Sequence, residues 1–363
     1  MNILLGKTLP ELQEIALSVG LPKFAGKQLA EWLYVRRVKS FDEMTNISIK
    51  GRAALNENYS IGRYNPVKEA VSQDGTRKYL FEIQGDKVHS TKGKQCVESV
   101  YIPEDDRATL CVSTQAGCKM GCRFCMTGTL GFHGHLSAAD ILNQIFEIDA
   151  LVASFHHYNN SSLTNVVFMG EGEPMDNLDQ VLRALEILTA DYGCGWSPKR
   201  ITVSTVGIPA MKRFLDESEC HLAVSMHNPF PAERAEIMPA EKMYSITEVV
   251  ELLKQYDWSH QRRVSFEYIC WHGQNDTPRH AKELLRLLKG LTCRINLIRF
   301  HEGVEEVAKK KSSNLPTFHS SNEQTMTWFR DYLTEKGLTT TIRRSRGEDI
   351  LAACGMLVNS LTS

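Results

Sequence analysis

No stretch of the chain reaches the roughly 18 consecutive apolar residues that a membrane-spanning helix needs, so no membrane segment is expected. The opening residues, MNILLGKTLPELQEIA, carry neither a basic n-region nor a long apolar h-region. No secretory signal is expected from them, and the sequence reads as that of a cytoplasmic protein. Net charge is almost absent: 42 Lys+Arg against 43 Asp+Glu leave −1. That removes any global drive toward nucleic acid and leaves only local basic faces. There is no 20–50-residue repeat and no low-complexity tract, which excludes a solenoid. With 42% hydrophobic and 23% charged residues, disorder, collagen and a coiled-coil rod are excluded as well.

The chain that remains has 363 residues, enough for one large domain or two to three modest ones. It has ten cysteines, too sparse for a small secreted disulfide scaffold. Without an export signal, clustered cysteine points to metal or redox chemistry. Residues 1–60 show helical spacing at Leu9, Leu12, Ile15 and Ala16 and at Leu29, Trp32 and Leu33, broken by GLPKFAG. Residues 65–108 change to alternating runs such as KYLFEI and CVESVYIP, which predict a short antiparallel sheet. From 109 onward, β-branched runs starting near 109, 165, 200, 221, 263, 293 and 339 alternate with helical patterns. That alternation predicts βαβ units and a parallel sheet, as a partial or complete α/β barrel or as a doubly wound sheet with the same period. KKKSSN at 309–314 reads as a linker before the last helix.

The strongest chemical signal is Cys118-Lys-Met-Gly-Cys122-Arg-Phe-Cys125, directly after the strand ATLCVS. Three thiolates this close converge on one centre only if the backbone loops around it, and Gly117, Gly121 and Gly128 permit such a path. Structural zinc wants four ligands, and His133 or His135 could supply a fourth. A cubane iron–sulfur cluster held by three cysteines keeps one iron open. Buried structural thiols are the third alternative.

The C-x3-C-x2-C run, with Phe124 before its third cysteine, resembles the radical S-adenosylmethionine (SAM) superfamily. One βα unit later, Gly170-Glu171-Gly172-Glu173-Pro174 resembles that superfamily's loop for the SAM amino group. Glycines admit backbone close to a ligand, and a carboxylate suits an ammonium. The joint set VESVYIPEDDRATLCVSTQAGCKMGCRFCMTG, MGEGEPMDN, ITVSTVGIPA, AVSMHNP and RGEDILAACG resembles the RlmN/Cfr family over nearly the whole chain. The implied fold is α/β: an incomplete (β/α)6-type radical SAM barrel at 109–345. It is preceded by a helical accessory RNA-binding module at 1–64 and a small β-sheet segment at 65–108, and followed by a catalytic-cysteine segment at 346–363.

The implied activity is methylation of C2 of an adenine in large-subunit 23S rRNA near the peptidyl-transferase centre, and of a tRNA adenine next to the anticodon. A Cfr-type C8 methyltransferase and a non-catalytic zinc/RNA-binding protein are the alternatives. Ring carbons C2 and C8 are electron-poor and have no lone pair to offer SAM, so a radical route is needed. The resemblance implies a 4Fe–4S cluster, two SAM per turnover and an external electron donor such as flavodoxin, in a monomer. Cysteines 118, 122 and 125 match the cluster ligands. Cys354 matches the cysteine that is first methylated, and Cys111 the one that resolves the protein–RNA adduct, leaving a transient disulfide. Glu98 matches the proton acceptor.

Gly172, Glu173, Ser204, Ser225, Met226 and His227 match SAM contacts. His301 stands where the family has Asn, and imidazole can still make one hydrogen bond. Glu171 stands where Met is common, and GDKVHSTKGKQC at 85–96 is longer than expected. Cys194, Cys220, Cys270 and Cys293 match no functional position and read as packing. RNA contacts are expected from Lys199–Arg200, Arg262–Arg263, Lys309–Lys311 and, foremost, Arg343, Arg344 and Arg346.

Overall fold

The computed structural model describes residues 2–83, 95–153, 162–260, 262–301, 318–353 and 355–357. In the N-terminal module, β1 (Asn2–Ile3) pairs in parallel with β2 (Tyr59–Ser60), closing a ring around α1 (Leu9–Ser18), α2 (Ala25–Ala30) and α3 (Ile49–Asn58). Helix α1 starts at a capping box in which Thr8 and Glu11 satisfy each other's backbone donors.

Then come β3 (Lys68–Val71), β4 (Arg77–Glu82), β5 (Cys96–Pro103) and β6 (Ala108–Cys111). A small hairpin of β7 (Gln115–Gly117) and β8 (Phe132–His135) encloses α4 (Met126–Leu130). The rest of the chain alternates α5 (Ala138–Val152), β9 (Asn165–Phe168), α6 (Leu178–Thr189), β10 (Ile201–Thr205), α7 (Met211–Glu217) and β11 (His221–Ser225). Next follow α8 (Pro231–Ile237), α9 (Ile246–Leu253), β12 (Val264–Cys270), α10 (Pro278–Leu287), β13 (Arg294–Arg299), α11 (Glu323–Glu335) and β14 (Thr340–Ile342).

Ten strands form one sheet in the order β14-β13-β12-β11-β10-β9-β6-β5-β4-β3. Neighbours from β6 through β14 are parallel, and β3–β6 are antiparallel. The parallel strands are the seven apolar runs of the sequence. Several of them alternate in burial, with inward positions such as Thr202, Ser204 and Ser225 lining the cavity and the intervening residues buried outside it. The antiparallel strands expected as a sheet of their own instead continue this one, because β5 pairs with β6 at Val100–Cys111 through Pro103–Ala108.

Helix α5 carries buried polar residues on the side toward the N-terminal module. Glu147 pairs with Arg63 (2.6 Å) and Lys39 (2.7 Å), Asp149 pairs with Arg37, and Tyr64 donates to Asp140 at 2.8 Å. The module is thereby docked on the barrel wall. Strands β14 and β3 are the sheet edges, and the segment after β14 crosses between them. The Gly347 amide donates to Asp74 (3.0 Å), and Asp349 accepts from Ser72 (2.5 Å) and the Gln73 amide (3.1 Å) in the β3–β4 turn. This strap closes the incomplete barrel on the side that β-pairing leaves open.

Candidate active site

The cysteine run sits between β7 and α4, at the C-terminal end of the first parallel strand, where barrel sites are built. The hairpin β7–β8 pinches it: the Cys118 amide donates to the Gly131 carbonyl at 2.9 Å, and the Cys125 amide to the Cys122 carbonyl at 3.2 Å. Gly117 sits at φ +69°, where a Cβ would stand 1.9 Å from the Gly131 oxygen. Cys118, Cys122 and Cys125 line one cavity of about 700 Å³. Burial, reinforced by neighbouring thiols, pushes Cys118 up to about 12 and Cys122 well above its ordinary value. Burial also raises Cys125. Thiolates are unfavourable in such a pocket unless a bound cation compensates them, which a cluster's irons do. Among the described residues no three His, Cys, Asp or Glu side chains are gathered as a single-ion site. His133 Nε2 instead contacts the Leu130 carbonyl (3.1 Å), and His135 lies between Gln115 (3.1 Å) and Asp176 (4.0 Å). Three thiols with no fourth donor among the described residues fit a cubane cluster with one open iron.

The same cavity is lined by Gly172, Glu173, Ser204, Ser225, His227 and His301. Gly172, at φ +97°, lets the backbone lie against Gln115, where a Cβ would come within 2.5 Å of the Gln115 Cβ. The Glu173 carboxylate accepts from the amides of Met175 (3.1 Å) and Val206 (2.9 Å), joining the ends of β9 and β10. Burial raises its pKa to about 7 against those hydrogen bonds. His227 has φ +56°, and its Nδ1 accepts from the Ile269 amide at 3.1 Å. That bond leaves the proton on Nε2. Burial first, then Arg234, holds its pKa down at about 3, so the ring is neutral. Its ring packs on Phe124 at 4.8 Å. Met226 does not line the cavity: its side chain is fully buried, and its amide donates to the Glu267 carbonyl at 3.0 Å. His301 is held by Ser345 (2.8 Å) and lies 3.6 Å from Glu348.

The second half of the site is built on the inner face of β4–β6. Lys78 is in register with Val100, and Val100 with Cys111, so these three and Glu98 share one face. Val100 clusters with the strap residues Ala352 and Leu357, with Cys111, Ile102 and Ile350 packed against them. Cys354 itself lies outside the described residues. Its neighbours Ala353 and Gly355 line the cavity, and the Gly355 carbonyl accepts from the Met126 amide at 2.9 Å. Glu98 does not reach the cavity wall: it is wholly buried and paired with Lys78 at 3.0 Å.

Several residues acquire roles that local pattern did not give. Glu171 is buried and accepts from the amides of Glu98 (2.8 Å) and Gly117 (3.4 Å); burial raises its pKa to about 8. Arg234 is completely buried; it pairs with Glu241 and donates to the carbonyls of Met226 (3.0 Å), Val206 (2.6 Å) and Ser225 (2.8 Å). One guanidinium thus fixes the ends of two cavity-lining strands. The expected basic clusters divide. Arg200 and Arg262 are spent on the backbone carbonyls of Thr164 (2.9 Å) and Leu215 (2.8 Å). Arg346 is 3.7 Å from Asp74. Lys199, Arg263, Arg343 and Arg344 are exposed on the cavity rim. Lys309–Lys311 and most of the 85–96 stretch lie outside the described residues. Cys220 and Cys270 are buried, and Cys194 and Cys293 half-buried. No described helix is long and apolar enough to cross a membrane.

Residues 1–61 match the model for the ribosomal RNA large subunit methyltransferase N-terminal domain, and residues 112–288 that for the radical SAM superfamily. Superfamily membership implies a 4Fe–4S cluster and SAM. The chain is 56% identical over 355 residues to a Bacteroides thetaiotaomicron protein named as a probable dual-specificity RNA methyltransferase RlmN, covering 98% of this chain and 95% of that one. It is 39% identical over 352 residues to the dual-specificity RNA methyltransferase RlmN of Syntrophobacter fumaroxidans, covering 97% and 96%. The crystal structure of a radical SAM methyltransferase from Sphaerobacter thermophilus superposes with a TM-score of 0.84 at 34% identity, covering 98% of this chain and 99% of that one. With its N-terminal module, cysteine loop and strap all inside these matches, the chain belongs to the RlmN family of radical SAM RNA methyltransferases.

Proposed function

We propose that this protein methylates C2 of an adenine in 23S rRNA near the peptidyl-transferase centre and of a tRNA adenine next to the anticodon. Cys118, Cys122 and Cys125 hold the 4Fe–4S cluster. Gly172, Glu173, Ser204, Ser225, His227 and His301 hold SAM. When bound, cluster and SAM together supply a methyl group and a hydrogen-abstracting radical, at two SAM per turnover. The Cys354 sulfur carries the methyl group, whose carbon becomes bonded to the adenine. Glu98 takes the proton from the substituted ring carbon. The Cys111 thiolate attacks the Cys354 sulfur; the carbon–sulfur bond breaks with its electron pair on the carbon, which takes up a proton to complete the methyl group, the adduct's one unpaired electron passes back to the electron carrier, and a disulfide remains for reduction. An external donor such as flavodoxin supplies electrons. The 1–64 module and the rim residues Arg343 and Arg344 contact RNA phosphates, and the target base is turned out of its stack to reach the cavity. The protein works as a cytoplasmic monomer.

The observation that carries this reading is a convergence. Cys111, the residues flanking position 354 and the three loop thiols all line one cavity, although they come from sequence positions 111 to 355. The test compares two variants. Cys111→Ala should accept the methyl, join to RNA and stall, so the purified protein carries nuclease-resistant nucleotide by gel shift and mass. Cys354→Ala should hold its cluster and carry none. Normal turnover by Cys111→Ala, or RNA on Cys354→Ala, refutes the roles. Mass mapping of rRNA from a knockout strain then distinguishes a lost C2 methyl from the C8 alternative.

A further inference from the structure

Lys78 and Glu98 form an ion pair of 3.0 Å with both side chains at 0% exposure. Replacing such a pair with apolar residues of similar volume is often neutral or stabilising, so stability alone is a weak reason for it. Its surroundings suggest another. The Lys78 ammonium also donates to the Leu351 carbonyl at 3.3 Å, on the strap three residues before position 354. On the other side, the backbone of Glu98 is clamped at both polar groups. Its amide donates to Glu171 Oε1 at 2.8 Å, and its carbonyl accepts from Ser113 Oγ at 2.6 Å. Ser113 Oγ in turn accepts from the Glu171 amide at 2.8 Å. The other Glu171 oxygen accepts from Gly117, the residue before Cys118. One continuous set of contacts therefore runs from the strap, through Lys78 and Glu98, to the loop of the three thiols.

We infer that Lys78 is a positioning residue: its ammonium holds the Glu98 carboxylate and the strap in one arrangement just behind the cavity wall, so that the base moves up to the RNA adduct together with the strap rather than apart from it. The inference rests on the reading of Glu98 as proton acceptor given above. Lys78 itself need touch neither RNA nor SAM. Resolution of the adduct requires a proton to leave the ring carbon for Glu98 before the carbon–sulfur bond opens toward Cys111. A base that drifts from the strap slows that half of the reaction and spares the earlier half.

The experiment uses full-length, cluster-loaded protein with tRNA and compares Lys78→Met, Glu98→Gln, the double variant and Lys78→Arg. Methylated RNA is measured against 5′-deoxyadenosine released, and covalent protein–RNA is followed by gel shift. Glu98→Gln should lower product per 5′-deoxyadenosine by about 100-fold, the low end of what a positioned base contributes. Lys78→Met should lower it about tenfold, with adduct accumulating and the iron content unchanged, and the double variant should be no worse than Glu98→Gln alone. Lys78→Arg should recover part of the loss. In the same proteins without RNA, tryptic cleavage at Arg343, Arg344 and Arg346 should accelerate several-fold when Lys78 is Met. If Lys78→Met does not fold, Glu98→Gln and the double variant still differ in the tether to Leu351, and only the double variant should cut faster. An unchanged product ratio in Lys78→Met, additive losses in the double variant, or unchanged strap cleavage would each overturn the inference. Failure of Cys111→Ala to trap RNA would sink the parent reading instead and leaves the strap measurement standing.

Discussion

Gly117→Ala tests whether the hairpin clasp is what shapes the cysteine loop. At φ +69° an alanine is left-handed, which costs about 1–2 kcal/mol. Its Cβ would also stand 1.9 Å from the Gly131 carbonyl oxygen, and backbone cannot swing aside as a side chain can. Forcing the two strands apart adds about 1–3 kcal/mol, the usual range for overpacking. The total, about 2–5 kcal/mol, falls where the Cys118 amide meets Gly131 at 2.9 Å. Gly131→Ala is the control. Its φ is +78° with ψ −177°, a backbone region that is almost glycine-only, but nothing lies within 4 Å of its Cβ, so it bears only a conformational cost of about 1–3 kcal/mol. At about 2 °C per kcal/mol, metal-free Gly117→Ala should melt about 4–10 °C below the parent and Gly131→Ala about 2–6 °C below it. Anaerobic reconstitution should then give close to four iron per chain in the parent and Gly131→Ala, and clearly less in Gly117→Ala. If the two variants melt together and load iron equally, the clasp does not hold the loop.

Two further outcomes follow from the same site. Cys122→Ala should abolish the cluster, which in the parent is about four iron and four sulfide per chain; stoichiometric zinc without iron uptake in strictly anaerobic protein would instead support the zinc alternative. Glu171 and Glu173 are raised to about 8 and about 7, so their protonated forms are favoured in the folded chain. Their contribution is fully present below the ordinary glutamate range of 4.5, declines as pH rises above it and is gone once pH has passed 7 to 8; denaturant titrations of metal-free protein should therefore show stability falling between about pH 4.5 and 8, and Glu171→Gln should flatten the fall.

Elements of the fold that depend on local pattern were legible. The parallel strands lie within a few residues of the β-branched runs because each run is separated from the next by a helical pattern, as βαβ units require. The cysteine loop was legible because its three thiols fall within eight consecutive positions, and the structure brings all three to one cavity. What escaped was every property set by a distant partner. RKYLFE gives no sign that Lys78, rather than its neighbour Arg77, points inward, since alternation marks two faces without naming the buried one. That face is fixed by pairing with β5 and by a strap more than 270 residues on. PAERAEI reads as a solvated helix, yet Arg234 is its most buried residue because three strand-end carbonyls and Glu241 converge on it. The paired cations Lys199–Arg200 and Arg262–Arg263 looked equivalent in sequence. In each pair one member is spent on backbone carbonyls, and only the other is free to face a phosphate. A charge in a sequence is thus neutral evidence. The fold decides whether it faces water or a buried acceptor: Glu173 and Arg234 are buried at the cavity, whereas Glu147 and Asp149 are buried where the N-terminal module docks.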